Sequence, residues 1–353
     1  MKKIYILLLL ALGFTNANLY AQDEVSVGDS TALDQAKAEQ YYNNGIEKFN
    51  AQDLHGALLD FDTAITIAPN FEKALFNRGS VRYQDKDFDA AIIDFTKVIE
   101  LNPDSNNAYY FRGRCYQKSN EDTLALKDFK DAIRVNPKNA KAHYRIGGYY
   151  FVQANYEGAK LSFDSAIIAN PEYAYAYNDR ASAKRQLTDY EGAIVDYKKA
   201  IVFDSKLEFF HNNLGSVYRN TKQYDEAIAA YDKAIKLKND YYLAYNNRGL
   251  AKFEKEDFDG AIKDYNAAIK IKSNYAYAYN NRAAVKFKLK DYKGSESDCS
   301  KAIVLKDDYA AAYLNRGIAR EMLRKQDKAC EDWHKAAELG LKNGKNFAQQ
   351  ACN

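Results

Sequence analysis

A small residue returns every 34 positions along this chain: Ala57, Ala91, Ala125, Ala159, Ala193, Ala227 and Ala261, then Ser295, then Ala329. A period held that long means one unit copied many times. A unit this short cannot bury its apolar side alone, so the copies must stack. Numbering slots from nineteen residues before each alanine gives nine 34-residue repeats over 38–343 and brings other positions into register. Slot 8 reads Gly45, Gly79, Gly113, Gly147, Ala181, Gly215, Gly249, Ala283, Gly317, and slot 24 reads Phe61, Phe95, Phe129, Phe163, Tyr197, Tyr231, Tyr265, Cys299, Trp333. Slot 27 is Ala or Val throughout, and all four prolines (Pro69, Pro103, Pro137, Pro171) fall at slot 32.

Spacings of three and four, as in Ala227, Ile228, Tyr231, Ala234 and Ile235, predict an amphipathic second helix in each repeat. Small residues at slots 8 and 20 let a first helix approach it closely, and the slot-24 aromatic fills the space toward the next repeat. Polar turns such as Lys255-Glu256-Asp257 separate the two, with Asp257 or Asp259 able to cap the second helix. Proline at slot 32 ends the unit. Repeats five to nine lack it, which predicts less sharply defined ends there.

This pattern resembles the tetratricopeptide repeat, whose 34-residue unit places a large residue, Gly, Ala, an aromatic and Pro at these spacings. The resemblance implies an all-α fold, a right-handed superhelical solenoid of nine antiparallel helix pairs. His143 and His211 depart from it at slot 4, and Ser295 and Cys299 in repeat eight.

Outside the repeats, Lys2 and Lys3 precede an apolar run, Ile4–Phe14, and residues 1–21 read as a secretory signal of bacterial type. The run is shorter than the roughly 20 residues of a membrane span. Residues 22–37 form a polar lead-in and 344–353 a short C-terminal cap. The expected location is therefore periplasmic or secreted. Of 51 Lys and Arg, losing Lys2 and Lys3 leaves 49 against 48 Asp and Glu, a balance that gives no global pull toward nucleic acid or anionic membrane. An exported chain with four cysteines raises the question of disulfides. A capping helix over Lys345–Cys352, antiparallel to the last second helix, predicts a Cys330–Cys352 bond worth about 3 kcal/mol in the chain-entropy picture. Cys115 and Cys299 occupy interior slots and read as buried thiols.

No catalytic, cofactor or metal motif accompanies the repeats, and the four histidines lack partners at ligand spacing. The repeats leave no length for a catalytic domain. The reading is a non-enzymatic scaffold for protein or peptide partners, with a glycan-binding module or a self-assembling envelope component as alternatives.

The family resemblance implies that first helices line a concave groove, with slots 2, 5, 6, 9, 12 and 13 facing it. Slot 6 then presents Asn213, Asn247, Asn281 and Asn315, with Asn178, Asn212, Asn246 and Asn280 beside them at slot 5. This resembles the asparagine ladder that holds peptide backbone in O-linked N-acetylglucosamine transferase. An amide side chain can pair with both groups of a peptide unit whatever the sequence. Tyr175, Phe209 and Tyr277 flank the ladder at slot 2, and slot 12 continues Arg185, Arg219, Phe253, Phe287. Four such hydrogen bonds supply about 2–6 kcal/mol, against about 4–15 for association, so the aromatic residues must add most of the affinity. Toward the N-terminus, Lys141 and Arg145 match two members of a carboxylate clamp, but Phe111, Phe76 and Ser80 stand where its other members belong. The seven-slot arginines (Arg78, Arg112, Arg180, Arg248, Arg282, Arg316) recur too regularly for one site and are expected to reach carboxylates on neighbouring repeats.

Overall fold

The computed structural model describes residues 32–352, so the signal-type segment 1–21 and most of the polar lead-in lie outside the described residues. The helices group into two compact units, 32–137 and 138–352. The first contains α1 (Ala32–Asn50), α2 (Leu54–Ile67), α3 (Glu72–Gln84), α4 (Phe88–Leu101), α5 (Asn106–Lys118) and α6 (Asp122–Val135). The second contains α7 (Ala140–Val152), α8 (Tyr156–Ala169), α9 (Ala174–Gln186), α10 (Tyr190–Phe203), α11 (Glu208–Asn220), α12 (Tyr224–Leu237) and α13 (Tyr242–Glu254). It continues through α14 (Phe258–Ile271), α15 (Ala276–Lys288), α16 (Tyr292–Leu305), α17 (Ala310–Met322), α18 (Gln326–Glu338) and α19 (Lys342–Ala351). Among the described residues there is no strand, and within each unit every helix packs on the next in chain order. Both units are tetratricopeptide-type solenoid stacks.

The slot pattern explains the pairing. A Cβ on Gly147 would sit 2.5 Å from the Phe163 ring, so only glycine lets α7 and α8 come this close. The slot-20 alanines from Ala57 to Ala329 are buried, as are Phe61, Tyr231 and Trp333 at slot 24. Each first helix ends in a left-handed residue at slot 15, for example Thr188 at φ 64°, and the Asp189 N–H returns to the Lys184 carbonyl at 2.9 Å. Asp257 then caps α14 by accepting from the Gly260 N–H; Asp259 lies within the first turn.

Two expectations change. In repeats five to eight, helices without proline end as sharply as those with it: α8, before Pro171, and α10, α12, α14 and α16 all stop at slot 30. In repeat nine α18 stops at slot 29, ahead of Gly340. Through repeat eight the slot-31 N–H bonds the slot-27 carbonyl either way, as in Asn170 to Ala166 and Lys238 to Ala234. Closure by this bond makes the proline dispensable.

The seven-slot arginines bind chiefly within their own repeat. Arg180 donates from Nε and Nη2 to both oxygens of Asp196 at 2.7 and 2.6 Å, and only Nη1 reaches back to Asp164. The same fork joins Arg78 to Asp94, Arg112 to Asp128, Arg248 to Asp264, Arg282 to Asp298 and Arg316 to Asp332. These aspartates are buried. In repeats four and six arginine and aspartate are missing together, Ile146 standing with Ser162 and Leu214 with Ala230. In repeat one, with Asn44 at slot 7, the buried Asp60 is held by Lys48 at 2.7 Å instead. A buried carboxylate left alone would cost several kcal/mol, so each retained aspartate keeps a cation beside it.

The C-terminal end is covered by α19, whose Phe347 stacks on Trp333 at 5.2 Å. Cys330 and Cys352 are joined, with sulfurs 2.04 Å apart. At the other end, α1 carries exposed Gln40 and Glu47 at slots 3 and 10. Later repeats place buried side chains there, such as Ala74 and Val81.

Candidate functional site

Slots 5 and 6 are neighbours on a first helix, roughly 100° apart around its axis. The structure gives them different surroundings. Asn178, Asn212, Asn246 and Asn280 at slot 5 are buried, while Asn213, Asn247, Asn281 and Asn315 at slot 6 are half-buried. Each slot-6 amide donates to the slot-5 carbonyl of the preceding repeat: Asn213 to Asn178 at 3.1 Å, Asn247 to Asn212 and Asn281 to Asn246 at 3.0 Å, and Asn315 to Asn280 at 2.9 Å. The slot-5 asparagines therefore bind between repeats, where a ligand was expected. Burial decides this, since a buried amide needs a protein partner.

A slot-6 asparagine spends one of its two amide hydrogens in this bond. For Asn213, Asn281 and Asn315 the second hydrogen and the carbonyl oxygen remain for other partners. Asn247 also accepts a long bond from Asn246 at 3.4 Å. The chain of bonds begins at Tyr144, whose hydroxyl donates to Asp179 at 2.6 Å, and Asn178 donates to the same carboxylate at 2.8 Å. Burial pushes the Asp179 carboxyl above the usual range, against these two hydrogen bonds and the Arg145 charge.

First helices of successive repeats approach one another here, as α9 and α11, α11 and α13, and α15 and α17 do. This brings the slot-6 amides of four consecutive repeats along one face. The aromatic candidates are engaged to different degrees. Tyr175 and Phe209 lie 6.2 Å apart and pack on Phe210. Tyr277, between Tyr275 and Tyr309, is 40% exposed and the most open of the set. Phe253 and Phe287 lean on Phe258 and Tyr292 of their own repeats, which ties them to the turn as well as to the face.

Lys141 is exposed, and Arg145 is half-buried with its guanidinium 6.0 Å from the Tyr144 ring centre. Phe111, where the clamp would have its asparagine, packs between Phe76 and Phe95. Burial lowers the His211 imidazole, and a hydrogen bond to the Ser205 backbone opposes it. Cys115 and Cys299 are buried thiols whose burial pushes each up to about 12, leaving them unreactive. Among the described residues no three His, Cys, Asp or Glu side chains are grouped to hold a metal ion, and no helix is long and apolar enough to cross a membrane.

Sequence reading missed two features of this face. One is the Tyr144–Asp179 bond, which has the 35-residue spacing of the asparagine bonds. The other is the link between slots 24 and 9: Tyr197 pairs with Ser182 at 2.8 Å and Tyr231 with Ser216 at 3.3 Å. Opposite Leu250, the Tyr265 hydroxyl is buried with no partner among the described residues.

Models of the tetratricopeptide repeat match residues 72–105, 120–171 and 174–206, and a further repeat model matches 215–255 and 249–290. No curated protein matches the sequence. Among solved structures, the chain is similar to a tetratricopeptide repeat protein from Parabacteroides merdae (TM-score 0.59, 19% identity, 70% of this chain and 99% of that one). It is also similar to a chain of the APC/C hetero-tetramer Cut9–Hcn1 (TM-score 0.58, 15% identity, 90% and 76%). A third is PilF of Pseudomonas aeruginosa (TM-score 0.52, 19% identity, 60% and 97%). At these identities the likeness is one of fold. Repeats of this kind form scaffolds suited to protein–protein interaction and are generally non-catalytic. With repeat matches over more than half its length and this helix-pair stacking, the chain belongs to the tetratricopeptide repeat family.

Proposed function

We propose that this chain is an exported, non-enzymatic scaffold of the bacterial cell envelope that holds extended peptide segments of protein partners along its first-helix groove. The observation that carries the reading is the row of half-buried slot-6 amides, Asn213, Asn247, Asn281 and Asn315, each anchored by one amide hydrogen. Anchoring removes side-chain freedom before a ligand arrives, so less entropy is lost on binding. The slot-5 asparagines serve the anchoring, and Tyr175, Phe209 and Tyr277 supply apolar area at the groove edge. Export is supported by the signal-type segment and by the Cys330–Cys352 bond, which suits an oxidising compartment. The polar start of α1 and the α19 cap favour partner binding over end-to-end assembly.

The test is capture of partners from envelope extract by the chain lacking residues 1–21, beside a variant with the four slot-6 asparagines changed to Ala. Partners lost from a variant whose melting curve still shows a folded array support the reading. Partners fully retained would contradict it.

A further inference from the structure

Slot 12 holds aromatics in five repeats: Phe49, Tyr83, Phe151, Phe253 and Phe287. Repeats five and six place Arg185 and Arg219 there, beside the start of the asparagine row. Both arginines are half-buried, and neither has a carboxylate within salt-bridge distance among the described residues. Every slot-7 arginine, by contrast, is forked onto a buried aspartate, and Arg82 and Arg320 also hold carboxylates. The contacts of Arg219 are with neutral groups, a 3.4 Å bond to its neighbour Asn220 and the Tyr231 hydroxyl. Both arginines lie close to buried hydroxyls. Burial pushes the Tyr197 phenol up to about 12 while the Arg185 charge opposes it, and Arg219 acts the same way on Tyr231. Asp179, on the same face, is already held by Tyr144 and Asn178.

A guanidinium that is half out of water and unopposed is a standing site for an anion. We infer that Arg185 and Arg219 form a paired site for two acidic side chains of an extended peptide, and that this selects the ligand. The inference rests on the groove reading above and adds its ligand chemistry. The two arginines occupy one slot in successive repeats, so they stand one first-helix step apart, roughly 10 Å. A polyproline-II segment has three residues per turn and rises ~3.1 Å per residue, so residues i and i+3 share a side about 9 Å apart. The matching motif is therefore acidic-x-x-acidic, on a peptide whose backbone the groove reading lays along Asn213 and Asn247.

The experiment uses the chain lacking residues 1–21 and fluorescein-labelled proline-rich decapeptides carrying Glu-x-x-Glu, Gln-x-x-Gln or Lys-x-x-Lys, read by fluorescence anisotropy. The Glu peptide should bind about tenfold or more tighter than the Gln peptide, lose that advantage at high salt, and outbind the Lys peptide. Arg185→Gln with Arg219→Gln should abolish the Glu preference, whereas Asn213→Ala with Asn247→Ala should weaken Glu and Gln peptides alike. Equal binding of Glu and Gln peptides by the wild-type chain overturns the inference, and this arm needs no variant to fold. If the asparagine variant still weakens both, the groove reading survives it. Binding untouched by either double variant, or no binding of any peptide, overturns both.

Discussion

Repeats one to four and repeats five to eight share one register but build the inner side of their first helices from different material. In the first group slot 5 is aromatic and packs on a slot-24 phenylalanine: Tyr42 on Phe61, Phe76 on Phe95, Tyr110 on Phe129, Tyr144 on Phe163. In the second, slot 5 is asparagine, and slot 24 becomes Tyr197, Tyr231 and Tyr265, with Cys299 in repeat eight. In the first group ring fills space against ring, whereas in the second the slot-5 amides are taken by slot-6 asparagines and the Tyr197 and Tyr231 hydroxyls by slot-9 serines. The backbone tolerates either filling, so the solenoid does not require the polar one. Its presence in four consecutive repeats is what the proposed recognition role rests on.

The sharpest way to break the contrast is to remove a ring from the apolar group. Phe95→Ala should cost about 3–5 kcal/mol, because Phe76 and Phe111 both rest on that ring; melting followed by circular dichroism should show the loss. Next comes Asn246→Leu, which leaves the amide of Asn281 and the carbonyl of Asn247 without their partner. The expected cost is about 1–3 kcal/mol, and no loss would mean the asparagine bonds do not hold the repeats together.

Smaller effects sharpen the comparison within the polar group. Tyr197→Phe should lose about 0.5–1.5 kcal/mol with its Ser182 bond, whereas Tyr265→Phe should be neutral or stabilising because that hydroxyl is unpaired. Equal losses at both positions would contradict the account. The least effect belongs to a feature both groups share, the left-handed slot-15 turn. Thr188→Gly should stabilise by under ~1 kcal/mol, since a β-branched residue is strained at φ 64°; a lower melting temperature would contradict this.

The repeat period carried the fold into view because Ala57 to Ala329, the slot-8 glycines and the slot-24 aromatics each serve one contact that recurs. The slot-20 alanines are buried, as their spacing implies. What the sequence left open turns on direction rather than spacing. Asn212 and Asn213 are adjacent and look equivalent, yet one lies under the surface and the other donates to Asn178. Arg180 could reach several carboxylates, and only its geometry gives Asp196 the two-point contact and Asp164 the single one. The joint loss of Arg and Asp in repeats four and six was readable, since Ile146 with Ser162 and Leu214 with Ala230 name the pairing. Likewise the proline at slot 32 looked decisive because hydrogen bonds that end a helix leave no trace in composition.

The central claim is that the first-helix face of repeats five to nine is where a partner lies. The direct measurement is hydrogen–deuterium exchange of the chain alone and bound to a captured partner segment. Slowed exchange should fall on α9, α11, α13, α15 and α17, with α10, α12, α14, α16 and α18 little changed. Protection of those second helices, or of repeats one to three, would contradict the claim.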